Sequence, residues 1–187
     1  MTYNVLVIPE DATKDHYILK PIVQAMLGHA GRPHARVRVM IDPAVQGISN
    51  LTSNFLEDVI QRYPMVDAFV LCVDRDGVSG RDTAMSNRET AAQAHLLPSQ
   101  SFFATTAHQE LEVWCLAGMD DLPKGWRWQA IRADASAKEN YYEPYAGRRG
   151  LLDAPGDGRE ILGREAATRY RAVRTRCGEV AQLEQRF

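Results

Sequence analysis

The sequence predicts an α/β layered fold on a mostly parallel sheet of about four strands, and three observations carry that prediction. Apolar runs of strand length alternate with amphipathic stretches of helical period, in the order β-α-β-α-β-α-β-α. One run, AFVLCV at residues 68–73, is apolar at every position, as a strand covered on both faces must be. The chain has 187 residues and 45% hydrophobic content, enough for one domain with a substantial core.

The elements follow in order. Residues 3–8 are rich in valine and isoleucine and end at Pro9, which reads as a buried strand. Residues 16–27 place Ile18, Leu19, Ile22, Val23, Met26 and Leu27 on one broad face. They predict a helix kinked or restarted at Pro21 and stopped by Gly28 and Gly31. Residues 36–41 alternate, with Val37, Val39 and Ile41 opposite Arg36, Arg38 and Met40, as in a strand near a sheet edge. Residues 51–63 predict an amphipathic helix with Leu51, Phe55, Val59 and Ile60 inward, and residues 68–73 the central strand. A helix over 88–97, a weaker strand over 101–105 and a helix over 110–117 complete the alternation.

After Pro123 the pattern loosens. Trp126 and Trp128 fall in a loop-like stretch, Lys138 starts a short helix, and the turn-rich APGDG at 154–158 precedes one or two arginine-rich helices. The organisation expected is a core over 1–122. Residues 123–187 form an irregular segment and a C-terminal helical appendage on the same domain.

The formal net charge of −2 argues against a generic polybasic nucleic-acid coat, but it allows a local basic face. Arginine is dense near the end, at Arg148, Arg149, Arg159, Arg164, Arg169, Arg171, Arg174, Arg176 and Arg186, interleaved with Glu160, Glu165 and Glu179. Cys72, Cys115 and Cys177 have no zinc spacing and read as reduced thiols, which fits the cytoplasm. The opening MTYNVLVIPED has neither the basic start nor the apolar length of a signal peptide. No stretch approaches the roughly 18 apolar residues of a membrane span.

In open α/β sheets, ligands bind beyond the carboxyl ends of the strands. Glu10 and Asp11 follow the first strand, Asp74, Arg75, Asp76 and Gly77 the central one, and Glu110 and Glu112 the fourth. Carboxylates gathered on one rim repel unless a cation lies between them. Hard oxygen ligands at a half-open site suit Mg²⁺ or Mn²⁺, which bind substrate phosphates. Period-two alternation puts Asp74 and Asp76 on the same side of an extended chain. Glu110 and Glu112, two apart on a helix, do not share a face, so only one of them points inward.

VLVIPED, FVLCVDRDG and HQELEVWCLAG together resemble the TOPRIM family, which has a catalytic Glu after the first strand and a DxD after a later one. EVWCLAG is similar to a helix of small stand-alone TOPRIM-like proteins, some of which accompany ATPases in bacterial anti-phage modules in the manner of the OLD nucleases. The resemblance spans residues 3–118. It implies a three-layer Rossmann-like TOPRIM fold and a Mg²⁺- or Mn²⁺-dependent nuclease with nucleic acid as substrate and an ATPase as partner. It also implies Glu10 as ligand or general acid/base, Asp74 and Asp76 as ligands, and Glu112 as a further ligand with Glu110 its competitor. Many TOPRIM enzymes carry a third acid two residues beyond the DxD, where this chain has Val78.

Arg75, His108 and Glu110 are candidate substrate contacts, and Lys138 could stabilise charge on the phosphoryl group. Two other readings compete. FVLCVDRDGV also resembles the DxDG signature of haloacid-dehalogenase-type phosphatases, with Thr105 or Thr106 and the pair Asp120 and Asp121 as its later motifs. That reading leaves Glu10 without a role and puts Lys124 on the wrong side of the acidic pair. The other is a non-catalytic subunit that keeps the fold and lends an interface. A sugar-nucleotide transferase also uses DxD, but no Gly-rich or base-binding signal accompanies it here.

Overall fold

The computed structural model describes residues 2–187. Strands β1 (Asn4–Pro9), β2 (Arg36–Val39), β3 (Ala68–Asp74) and β4 (Ser101–Ala107) form an all-parallel sheet in the order β2-β1-β3-β4. The valine-rich first run and AFVLCV thus take the two inner positions. The alternating RVRV segment takes an edge, as its half-polar pattern requires, and ends at Val39, two residues earlier than expected. Val5 pairs with Ala68 and Pro9 with Cys72. Glu10 and Asp74 therefore leave adjacent strands side by side at the carboxyl rim.

Period two divides the core into two layers. Val5, Val7, Val70 and Cys72 face α1 (His16–His29), α4 (Glu112–Ala117) and the C-terminal helices α7 (Arg159–Thr168), α8 (Tyr170–Arg176) and α9 (Gly178–Glu184). Leu6, Ile8, Phe69, Leu71 and Val73 face α2 (Ser53–Arg62) and α3 (Arg81–Gln93). Thr52 caps α2 by accepting the Phe55 N–H at 3.2 Å. Helix α3 starts seven residues before the expected helix over 88–97. Its first two turns are polar apart from Ala84 and Met85, and only Met85 and Ala92 are buried, so no apolar stripe marks its start. The fourth helix begins at Glu112, which leaves Glu110 in the turn before it.

Part of the loop-like stretch is α5 (Trp128–Ala133). Lys138 opens a π-helical turn, Lys138–Tyr142, that runs into α6 (Glu143–Arg148). Trp126 packs edge-on against Tyr141, and the Arg176 guanidinium lies over Trp128. The arginine-rich end forms three helices and is largely bonded within the chain. Arg149 pairs with Glu165, Arg174 with Glu184, Arg169 with Asp120 and Arg186 with Glu89. Arg176 donates to the carbonyls of Ala117 and Met119. All three cysteines are buried and unpaired. Among the described residues, no helix is long and apolar enough to cross a membrane.

Helix α1 runs through Pro21 without ending. Proline has no N–H for the Tyr17 carbonyl, and α7 packs where that carbonyl lies: a Cβ on Gly163 would sit 2.5 Å from Tyr17 O and 3.2 Å from Ile18 Cα. One turn further along α7, a Cβ on Gly118 would overlap the Ala166 backbone. Gly163→Ala must therefore push two helices apart, at a cost of roughly 1–3 kcal/mol, or about 2–4 °C in Tm per kcal/mol at this chain length. A variant that melts within a degree of wild type would show that this contact yields freely.

Candidate active site

The rim where the strands end opens into a cavity of about 480 Å³. Its wall carries seven carboxylates (Glu10, Asp11, Asp15, Asp74, Asp76, Glu110 and Glu112) against three cations (Lys14, Lys138 and Arg159). Glu10 is held by backbone donors at both oxygens: Ile48 N–H to Oε1 at 3.2 Å and Asp74 N–H to Oε2 at 3.2 Å. Asp74 Oδ1 accepts the Leu111 N–H at 2.8 Å. Asp76 has a left-handed backbone (φ 52°), and its carboxylate lies 3.3 Å from the Arg81 guanidinium. Its N–H donates to Gln109 O at 2.9 Å.

The other wall comes from later in the chain. Glu112 is buried, and its Oε1 accepts both Nε (2.9 Å) and Nη2 of Arg159. Among the described residues, Oε2 has no hydrogen-bond partner. Arg159, itself 2% exposed, is braced by the Gly156 carbonyl at 2.8 Å and by Asp157 at 3.1 Å. Glu110 Oε2 accepts the Lys138 N–H at 2.6 Å.

Burial and crowding decide the electrostatics. Burial, then the charges of Glu112, Asp15, Asp76 and Glu10, push Asp74 well above the ordinary carboxylate range. Burial pushes Asp15 up to about 7, with Glu112, Asp11 and Glu10 adding to it against the Asp11 N–H. Burial also raises Glu110 to about 7. The Lys138 N–H opposes that rise, and Glu112 and Glu139 reinforce it. Burial alone would lower Lys138, but Glu139 and Glu112 outweigh it and raise the ammonium's pKa.

The structure thus brings Glu10, Asp74, Asp76, Glu110, Glu112 and Lys138 into one cavity; both Glu110 and Glu112 reach it, not one alone as expected, because Glu110 lies in the turn before the helix and not on it. It does not bring Arg75 and His108 there. They line a neighbouring cavity on the other side of the β3 and β4 ends. Sequence reading missed Asp15, Lys14 and the part played by Arg159. Asp15 belongs to no motif, and Arg159 is one arginine among many. Thr105 and Thr106, the phosphatase-type motif, also line the neighbouring cavity. Asp121 is bonded to Tyr145 and Asp120 to Arg169, away from the acidic wall.

Compared with protein-family models, curated proteins and solved structures, the chain matches none. Its function rests on the site itself.

As a test of fit to a cation, the wall's negative excess and the desolvated Asp74 carboxylate both call for positive charge. Glu10, Asp74 and Asp76 supply the hard oxygens that Mg²⁺ prefers. Among the described residues no three acids close tightly around one point. Glu10 is bonded at both oxygens, while Asp74, Asp76 and Glu112 each keep one oxygen without a hydrogen-bond partner among the described residues.

Glu179 organises the boundary with the second cavity. It accepts Trp114 Nε1–H at 2.8 Å, the His108 N–H at 3.1 Å and Arg132 at both oxygens. Burial alone would raise its pKa, but Arg132 and Trp114 outweigh burial and hold it below the ordinary value. A lowered folded-state pKa stabilises the protein above the unfolded value, about pH 4.3. That stability is lost as pH falls through the folded value. Glu179→Gln should cost roughly 1.5–3 kcal/mol at pH 7 and flatten the loss of Tm below about pH 4.3. Parallel acid limbs in wild type and variant would count against this assignment.

Proposed function

We propose that the chain is a Mg²⁺- or Mn²⁺-dependent phosphodiesterase acting on nucleic acid, with Glu10, Asp74 and Asp76 as the residues that would hold the cation. One observation carries the reading: acids from separate segments meet in one cavity at the carboxyl rim, around a desolvated Asp74. A bound divalent cation would neutralise charge on a substrate phosphate and acidify a bound water.

The chain's own residues do the rest. Two backbone N–H groups fix Glu10 before any ligand arrives. Lys14 and Lys138 on the same wall give a phosphate its cationic contacts. Glu110, held by the Lys138 N–H, would be the group to accept a proton from attacking water. The Arg159 pair anchors Glu112, whose free Oε2 is available as a further ligand. Partnership with an ATPase, in an anti-phage setting, rests on the sequence resemblance alone and belongs to the same proposal.

Titration calorimetry with Mn²⁺ tests the core of it. Wild type should bind, and Asp74→Asn should bind at least tenfold more weakly. If wild type binds no Mn²⁺, the enzyme reading fails and the non-catalytic subunit takes its place.

A further inference from the structure

The second cavity, about 440 Å³, is separated from the acidic one by the ends of β3 and β4. Beyond the strand ends the two segments stay in contact, with Arg75 N–H bonded to Ala107 O and Asp76 N–H to Gln109 O, but the ladder is broken there, because Asp76 and Gln109 both take left-handed backbone. Asp74 and Asp76 line the acidic cavity, and Arg75 and His108 line the other.

The second cavity is a donor site. Arg75 Nη1 lies 3.1 Å from His108 Nδ1. A guanidinium only donates, so Nδ1 must accept, and the imidazole is the neutral tautomer with its proton on Nε2. Burial, then Arg132 and Arg75, lower the imidazole's pKa against Glu179 and Asp82, which favours the same neutral form. Nε2 has no hydrogen-bond partner among the described residues. The acids of the cavity are already engaged: Glu179 by Arg132, Trp114 and the His108 N–H, and Asp82 by the Thr106 hydroxyl. Asp82 forms a long, exposed ion pair with Arg75 at 3.8 Å, which leaves guanidinium N–H groups free to donate elsewhere. What faces the space is a guanidinium and an imidazole N–H side by side, a pairing that suits an oxyanion with two acceptor oxygens.

We infer that this cavity binds a phosphodiester, through Arg75 and His108, one or more linkages along the strand from the phosphate held at the acidic cavity. The inference rests on the nuclease reading and deepens it: a strand in both cavities crosses the turn after Asp76, so the substrate is a polymer with several diesters.

The test uses the intact protein without divalent cation. The imidazole ¹⁵N–¹H spectrum is recorded while dimethyl phosphate is added, and the signal of His108, one of five histidines, is assigned with His108→Gln. A saturable shift of the His108 Nε2–H signal is expected, with affinity falling about tenfold in Arg75→Gln. A His108 signal that does not move overturns the inference. So does a response to inorganic phosphate with none to dimethyl phosphate, which would assign the cavity to free phosphate. The two readings separate cleanly. If His108 responds but wild type shows no Mn²⁺-dependent cleavage, the subsite stands and the nuclease falls. If wild type cleaves while His108 stays silent, the subsite falls and the nuclease stands.

Discussion

Asp74→Asn should lower Mn²⁺-dependent cleavage of a single-stranded oligonucleotide roughly a thousandfold, about 4 kcal/mol of transition-state stabilisation, while the fold survives. The amide keeps an oxygen that can accept the Leu111 N–H, so local geometry persists. It also removes an acid whose ionisation is disfavoured in the fold by burial and by the surrounding carboxylates. Tm without metal should therefore rise rather than fall. A lost activity joined to a higher Tm separates a ligand from a structural acid, whose loss would lower both. Asp120→Asn is the control, because that acid lies away from the cavity with Arg169 and its substitution should leave cleavage as it is. Residual cleavage by Asp74→Asn within tenfold of wild type would end the metal mechanism.

Arg159→Met should cost roughly 3–5 kcal/mol, because it leaves Glu112 buried without its counter-charge. The double variant Arg159→Met, Glu112→Leu should recover most of that loss, since an apolar pair of similar volume often replaces a buried ion pair without penalty. Thermal melts of the four proteins give the coupling directly. If the double variant melts no higher than Arg159→Met alone, Glu112 is not what Arg159 serves, and the guanidinium acts through Asp157 or packing over Tyr142.

Much of this architecture can be read from residue pattern. AFVLCV announced a strand buried on both faces, and RVRV announced an edge. Glu10 and the Asp74-x-Asp76 pair were legible because the rim of a parallel sheet is where ligand-binding side chains collect. The extended chain expected through Asp74-x-Asp76 ends at Asp74: Asp76 takes left-handed backbone in the following turn, so its place beside Asp74 in the cavity comes from the turn and not from period-two alternation. Helix α3 was less legible at its start, because it rests on the sheet through little more than Met85 and Ala92. The Glu112–Arg159 pair was not legible at all. Its partners are separated by 47 positions, and neither periodicity nor a local motif connects two such residues. Asp15 was hidden for a related reason: Glu112, one of the acids that crowd it, comes from a distant segment of the chain.

The close seating of α7 against Tyr17 and Ala117–Gly118 has a consequence for synthesis. The sheet can assemble once β4 has left the ribosome, but the acidic wall then still lacks Arg159, and Glu112 has no counter-charge. The cavity is finished only when α7 docks, so its charge balance is among the last things the growing chain acquires. Until then, a nascent molecule carries an open, repelling cluster of acids that cannot yet be held at native spacing.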